Sequence, residues 1–299
     1  MKTTIFETPV VLIVYNRPEE TYLVLKKILD VNPNKLLIIA DGPKNQKDKL
    51  LTDEVRKIIR ESCDESNMIT NYADENMGTK KRIVSGLNWV FDQVNKAIIL
   101  EDDCLPDTSF FKYAETLLEY YKDDYRIMTI SGNNFYETKK NFKKYSYYYS
   151  YNHHIWGWAT WKRAWNLYDS EMKSWNDFKE QDLLLNLFGN QREARIWFDI
   201  LNSSYINPQF TWDHQWVYTC LRNSAYCIIP QVNLVKNIGF SIDATRTKEI
   251  NHPLSDLKTS QITFPLNHPK HMIREKKLDM IELDLFKTSI IQKVFNKLL

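Results

Sequence analysis

The chain has 299 residues, which suggests one large domain or two small ones and allows a sizeable core without disulfides. Lys and Arg number 40 and Asp and Glu 38, so the net charge of +2 leaves no basic surplus for binding nucleic acid. Hydrophobic residues make up 43% of the chain, which excludes a disordered protein. The 7 Gly are few and the 13% aromatic residues are many, which indicates a large core or a binding surface for flat ligands.

The cysteines and the termini exclude several other classes of protein. The 4 cysteines form no Cys-x-x-Cys pair, so neither a structural zinc site nor a disulfide framework is expected. The N-terminus carries no apolar leader, and the uncharged stretch Tyr145–Trp161 is too polar to cross a bilayer. We therefore expect a soluble, cytoplasmic protein.

Short apolar runs alternate with helical spacing of apolar residues in the first hundred residues. Strands are predicted at Val10–Tyr15, Leu36–Ala40, near Met68–Tyr72 and at Ala97–Leu100, with a helix after each of the first three. This alternation is typical of βαβ units. It predicts an α/β fold whose mainly parallel central sheet has helices on both faces.

The second half of the chain is less regular. A helix at about Phe110–Tyr121 and a strand at Ile127–Ser131 precede an aromatic, irregular stretch over Asn133–Ser170. A mostly helical region then leads to a helix at Trp212–Leu221 and an extended segment at Cys227–Ile229. A last helix is predicted at Leu283–Leu298, which either packs on the rest of the chain or contacts a membrane through its lysines.

Polar residues follow three of the predicted strands, where ligands bind in parallel sheets. Asn16-Arg17 and Asp41-Gly42 follow the first two, and Glu101-Asp102-Asp103 follows the strand at Ala97–Leu100. Adjacent carboxylates need a nearby cation, and Mg²⁺ or Mn²⁺ could bind them and bridge to substrate phosphates. The alternative is a solvated acidic turn that caps the next helix.

Two other segments could contact an anionic nucleotide. Asp41 could accept from a base N–H while Arg17 meets base or phosphate, although Asp-Gly also favours an ordinary turn. The segment Asn76–Arg82, with Gly78 and Lys81, opens a helix with basic residues. Basic residues in the first turn of a helix are unfavourable because of the helix dipole, and an anion bound there would compensate for this.

Two segments in the second half of the chain combine tryptophans with residues that could carry chemistry. Trp156, Gly157 and Trp158 could form a platform for sugar rings, or the two tryptophans could belong to the core. Asp213 has a tryptophan on either side and His214 next to it. A carboxylate in such a partly apolar setting can act as a general base, although Asp is also a common helix N-cap.

The motifs resemble those of a known enzyme class. The segment Ile99–Phe111, with its three acids and paired Phe, resembles the Glu-Asp-Asp block of the N-acetylglucosaminyltransferase I type of GT-A fold glycosyltransferases. Trp156–Trp165 and Asn237–Phe240 are similar to bacterial sugar transferases labelled hemolysin-like. The resemblance covers residues 9–245. It implies the GT-A (nucleotide-diphospho-sugar transferase) fold, with a donor half at 1–131, an acceptor half at 132–245 and a C-terminal extension at 246–299.

This resemblance implies an inverting transfer from a UDP-sugar to a hydroxyl of a cell-envelope glycan, assisted by Mn²⁺ or Mg²⁺. Asp103 would bind the metal, Asp102 would contact ribose or metal-bound water, and Glu101 would orient the donor sugar. Asp213 would take the acceptor proton. The implied donor-binding residues are Tyr15, Asn16, Arg17, Asp41, Gly78, Lys81, Glu101, Asp102 and Asp103, and the implied acceptor-binding residues are Trp156, Gly157, Trp158 and His214.

Some alternatives stay open at this point. Arg246 stands where the related bacterial sequences have His. If that His serves the metal or the diphosphate, Arg246 could contact phosphate instead, which leaves the metal dependence open. A sugar nucleotidyltransferase is the second hypothesis, although no glycine follows the first strand to form a phosphate loop. A catalytically silent sugar- or nucleotide-binding module is the third.

Overall fold

The computed structural model describes residues 5–64, 66–136, 144–209, 211–239 and 257–295. Up to the middle of the chain the elements are β1 (Val10–Val14), α1 (Pro18–Leu29), β2 (Leu36–Ala40), α2 (Gln46–Ser62), β3 (Met68–Tyr72), α3 (Thr79–Gln93), β4 (Lys96–Glu101), β5 (Cys104–Pro106), α4 (Ser109–Tyr120) and β6 (Ile127–Ser131). They are followed by β7 (Tyr147–Ser150), β8 (Trp158–Trp161), α5 (Lys162–Trp165), α6 (Trp175–Glu180), α7 (Leu183–Phe188), α8 (Gln191–Ile206), α9 (Asp213–Arg222), β9 (Tyr226–Pro230), β10 (Val235–Asn237) and α10 (Lys276–Phe295).

One large sheet organises the fold. Its 8 strands lie in the order β3-β2-β1-β4-β8-β6-β9-β7. The first four of these are parallel neighbours, β6 and β9 are parallel to each other, and β8 and β7 run in the opposite direction. The expected α/β class, a mainly parallel sheet with helices on both faces, is confirmed.

The alternating side chains of β1 show why its sequence is apolar throughout. Val10, Leu12 and Val14 belong to one buried cluster that includes residues of α1, α2 and α4. Val11 and Ile13 belong to a second cluster that includes residues of α3, α5 and α9. Because successive side chains point to opposite faces and both faces are covered, all of β1 is buried.

The aromatic stretch expected to be irregular over Asn133–Ser170 contains β7, β8 and α5, so that expectation is wrong. β8 lies between β4 and β6 and is buried throughout. A strand covered on both faces shows no alternation of polar and apolar residues. Because β8 contains a Thr between its tryptophans, it is not a continuous apolar run either, and neither pattern predicts it. The short strands β5 and β10, of 3 residues each, were not predicted.

The C-terminal helix α10 begins at Lys276, earlier than the predicted Leu283. Asp279 accepts hydrogen bonds from the Ser150 hydroxyl at 2.6 Å and from the Tyr151 backbone N at 3.0 Å. Glu282 pairs with Nε2 of His154 at 2.5 Å. The beginning of α10 therefore packs on the end of β7 and on the segment that follows it. The choice between packing and membrane contact for the predicted helix Leu283–Leu298 stays open, because the side chains of its lysines lie outside the described residues. In the described ranges no helix is both long and apolar enough to span a membrane.

Gly157, expected at the acceptor site, has a structural role in the core. Its φ is +61°, and a Cβ there would lie 2.7 Å from Cγ2 of Val235. Gly189 at the end of α7 has a similar φ of +56°, but a Cβ there would meet nothing within 4 Å. The two positions thus share the backbone conformation and differ in packing.

We predict that Gly157→Ala destabilises the protein more than Gly189→Ala. Both changes carry the cost of a left-handed residue, about 1–2 kcal/mol. Gly157→Ala adds the cost of overpacking against Val235, about 1–3 kcal/mol. Urea unfolding of both variants measures the difference, and equal losses of unfolding free energy would contradict the packing argument.

Candidate active site

A cavity of about 270 Å³ opens at the carboxyl ends of the parallel strands. The segment Tyr15–Arg17 after β1, Asp41 after β2 and Glu101–Asp103 at the end of β4 all line it. Asp213, the first residue of α9, lines the same cavity together with Trp156. The structure thus brings most of the predicted site residues together around one space.

Arg17 links the acidic residues of β4 to the start of α1. Its Nη1 lies 2.7 Å from Oδ2 of Asp103 and 3.1 Å from Oδ1 of Asp102. The second oxygen of Asp102 accepts from the backbone N of Tyr15 at 3.0 Å. Since Asp102 N also donates to Ile13 O at 2.9 Å, β1 and the acidic segment are joined at the cavity edge.

Charge in this network is incompletely balanced. Burial raises the pKa of Asp102 to about 7, although Arg17 opposes the rise. Burial alone would lower the pKa of Arg17, but the carboxylates of Asp102 and Asp103 outweigh it and raise that pKa. One guanidinium therefore faces two carboxylates, and an additional cation would stabilise the charged form of Asp102.

Asp41 holds the loop after β3. Its Oδ1 accepts from the backbone N of Gly42 and Met77, both at 2.9 Å. Its Oδ2 accepts from Nδ2 of Asn76 and from Gly78 N, both at 3.1 Å. A carboxylate offers about four lone-pair sites, so these bonds occupy the acceptors with which Asp41 was expected to bind a base N–H. Its geometry fits a residue that positions the 76–78 loop.

Tyr15 and Asn16 are held by a carboxylate that the sequence reasoning missed. The Tyr15 hydroxyl donates to Oδ2 of Asp48 at 2.7 Å, and Nδ2 of Asn16 donates to Oδ1 at 2.9 Å. Lys44 also lines the cavity, with Nζ 5.6 Å from the Tyr15 ring centroid. Lys44 follows Asp41-Gly42-Pro43 in the loop after β2, so the expectation that ligands bind where parallel strands end could have included it.

Asp213 presents one constrained and one open carboxylate oxygen. The Thr211 hydroxyl and the His214 backbone N, at 3.0 Å, both donate to Oδ1. Within the described part of the chain, no group donates a hydrogen bond to Oδ2. This arrangement fixes the carboxylate while leaving one oxygen for a ligand.

Four of the predicted site residues do not line the cavity. Lys81 is exposed, and Gly157 packs against Val235. Trp158 is 1% exposed and packs against Trp212 and Trp216, so it belongs to the core. Nδ1 of His214 shares a hydrogen bond of 2.6 Å with the Ser204 hydroxyl, which joins α9 to α8.

The carboxylates at and around Asp103 suit a divalent cation whose remaining ligands are phosphates of the substrate. No group of three or more His, Cys, Asp or Glu side chains in the described ranges could hold a metal alone. Mg²⁺ is usually bound through one or two carboxylates plus substrate phosphates, so the small number of protein ligands here is compatible with the expected role of Asp103. The cavity lining has five acidic and three basic side chains, and a divalent cation would offset this negative excess. Arg246, the proposed alternative phosphate contact, lies outside the described residues.

Comparisons with known proteins give only distant similarity. No protein-family model and no curated protein matches the chain. A 4-diphosphocytidyl-2C-methyl-D-erythritol synthase from Anaerococcus prevotii is similar at 10% identity and a TM-score of 0.36, over 54% of this chain and 73% of that one. A cytidylyltransferase from Leptospira borgpetersenii serovar Hardjo-bovis is similar at 8% identity and a TM-score of 0.34, over 56% and 65%.

A UDP-glucose pyrophosphorylase in complex with UDP-glucose is similar at 12% identity and a TM-score of 0.27, over 48% of this chain and 62% of that one. The chain thus spans less than two thirds of this protein and of the Leptospira enzyme. At these identities and TM-scores their activities are not transferred to the chain.

We predict that Asp41→Asn destabilises the protein. Asn has one acceptor oxygen, so at least one of the buried N–H donors around position 41 loses its partner at a cost of about 1–3 kcal/mol. Asp53→Asn is the control, since Asp53 forms an exposed pair with Lys49 that contributes about 0.5 kcal/mol or less. Thermal unfolding compares the two variants. Equal stability would show that the Asp41 network does not hold the 76–78 loop.

Proposed function

We propose that the chain is a glycosyltransferase that uses a nucleotide-diphosphate sugar, with a UDP-sugar as the expected donor. The observation that carries this proposal is the shared cavity of the acidic segment Glu101–Asp103 and Asp213. The acidic segment suits the diphosphate end of a donor through a cation, and Asp213 suits a nucleophilic hydroxyl. An inverting, metal-assisted transfer of a sugar from a diphosphate to an acceptor uses both groups.

On the donor side, Tyr15 and Asn16 offer a rim for the nucleoside, fixed by Asp48. Asp103 is the expected protein ligand of Mn²⁺ or Mg²⁺, which when bound supplies positive charge for the leaving diphosphate. Arg17 and Lys44 line the same space and offer further positive charge to phosphate oxygens.

On the acceptor side, Asp213 is the proposed general base. Its Oδ1 is held by Thr211 and the His214 backbone N, which leaves Oδ2 for the acceptor hydroxyl. Trp156 lines the cavity beside it and supplies aromatic surface for a sugar ring. The expected acceptor is a glycan of the cell envelope.

Sugar nucleotidyl transfer is the second candidate. Two of the similar solved structures are named as a cytidylyltransferase and as a UDP-glucose pyrophosphorylase. Arg17 and Lys44 in the cavity would suit the phosphates of a nucleoside triphosphate. This reaction has no need for a base at Asp213, since a sugar phosphate is already an anionic nucleophile. The effect of removing that carboxylate therefore separates the two candidates.

We predict that Asp213→Asn lowers kcat for sugar transfer about 10²–10⁴-fold, the usual contribution of a positioned base. Donor affinity stays within about twofold of the unchanged protein, because Asp213 acts on the acceptor. Asp199→Asn, an exposed residue of α8 paired with Arg195, is the matched control and keeps full activity. Steady-state assays with a UDP-sugar panel measure both variants, and a near-normal kcat in Asp213→Asn would contradict the base assignment.

A further inference from the structure

One nitrogen of Arg17 serves both acidic residues at the centre of the candidate site. Nη1 lies 2.7 Å from Asp103 and 3.1 Å from Asp102, and the three side chains are 21%, 17% and 9% exposed in the order Arg17, Asp103, Asp102. When one member of a largely buried ion pair is removed, the charge that remains is left uncompensated, which is strongly unfavourable. The guanidinium thus occupies Oδ2 of Asp103, on the carboxylate expected to bind the metal.

The position of Arg17 is unfavourable without these carboxylates. Arg17 is the N-cap residue of α1, directly before Pro18, and its side chain makes no capping hydrogen bond. A cation at a helix N-terminus opposes the helix dipole. The ion pairs with Asp102 and Asp103 therefore account for the placement of the guanidinium.

The two carboxylates differ in how firmly they are held. Asp102 has a second partner in the Tyr15 backbone N at 3.0 Å, so it keeps one hydrogen-bond donor if Arg17 moves. Within the described ranges, the Asp103 carboxylate accepts hydrogen bonds from Arg17 and, weakly, from Sγ of Cys104 at 3.5 Å, and it packs against Gly239. The backbone of Asp103 is fixed by the bond from Ile238 N at 2.8 Å. Asp103 is thus the acid that can exchange its partner without moving its backbone.

We propose that Arg17 is an internal cation that competes with the divalent metal ion for Asp103 and is displaced when metal and nucleotide diphosphate bind together. This rests on the proposed function, which supplies the metal and the diphosphate. Two cations at one carboxylate oxygen repel each other, so Arg17 and the metal ion exclude each other there. The displaced guanidinium can pair with a phosphate oxygen of the nucleotide, for which its geometry is suited.

Mn²⁺ binding to the full chain without any nucleotide tests this competition. Free Mn²⁺ is measured by electron paramagnetic resonance at pH 8 for the unchanged protein, Arg17→Gln and Arg126→Gln. Arg126 pairs with Asp124 on the surface and serves as the matched control. Arg17→Gln is expected to bind Mn²⁺ on the order of tenfold more tightly, while Arg126→Gln is unchanged. Equal or weaker binding by Arg17→Gln would overturn the proposal.

Two further measurements keep the test decisive. Adding Asp103→Asn to Arg17→Gln should remove the gain in Mn²⁺ affinity, and a retained gain would place the metal elsewhere.

If Arg17→Gln does not fold, the arginine side-chain nitrogen resonances of the unchanged protein are followed by nuclear magnetic resonance, with Arg17 assigned through Arg17→Lys. The Arg17 signal should shift on adding Mg²⁺ and UDP, and an unmoved signal at saturation would overturn the proposal. Neither measurement uses a sugar donor or acceptor, so failure of the proposed transferase activity is seen separately.

Discussion

The close approach of Asp102 and Asp103 at the end of a buried strand is the constraint on which the site depends. Carboxylates removed from water are stable only when cations and hydrogen-bond donors compensate them. The parallel pairing of β1 with β4, which sets Ile13 beside Glu101, supplies both through the segment that follows β1. Tyr15 N and Arg17 meet the acids because the two strands end together, so the packing of the sheet and the electrostatics of the cavity depend on the same register.

The part of the cavity lined by Asp213 depends on the second part of the sheet. β8 enters between β4 and β6, and Trp158 of β8 packs on Trp212 and Trp216 at the start of α9. This aromatic contact supports the start of α9, whose first residue, Asp213, lines the same cavity as the acidic segment. The tryptophans that resembled a sugar platform in the sequence therefore have two roles, since Trp158 supports α9 from the core while Trp156 lines the cavity.

Much of the fold could be predicted from the sequence because β1, β2 and β4 are continuous apolar runs and their connecting helices have clear periodicity. The expectation that ligands bind where parallel strands end also located the acidic segment, Arg17 and Asp41 at the cavity. It could not show that the acceptors of Asp41 are occupied by the 76–78 loop, because those contacts join segments that are distant in sequence. Lys81 and Gly157 were assigned from local pattern alone, which does not reveal where a helix turn or a tight loop faces.

Product analysis tests the central claim most directly, namely that the cavity promotes sugar transfer from a nucleotide-diphosphate sugar. The full chain is incubated with UDP-sugars and Mn²⁺ in one reaction, and with UTP and sugar 1-phosphates in a parallel one. The account predicts release of UDP from a UDP-sugar, with the sugar transferred to an acceptor hydroxyl or to water, and loss of this release in Asp103→Asn. Release of pyrophosphate from UTP and a sugar 1-phosphate, without release of UDP in the first reaction, would contradict it.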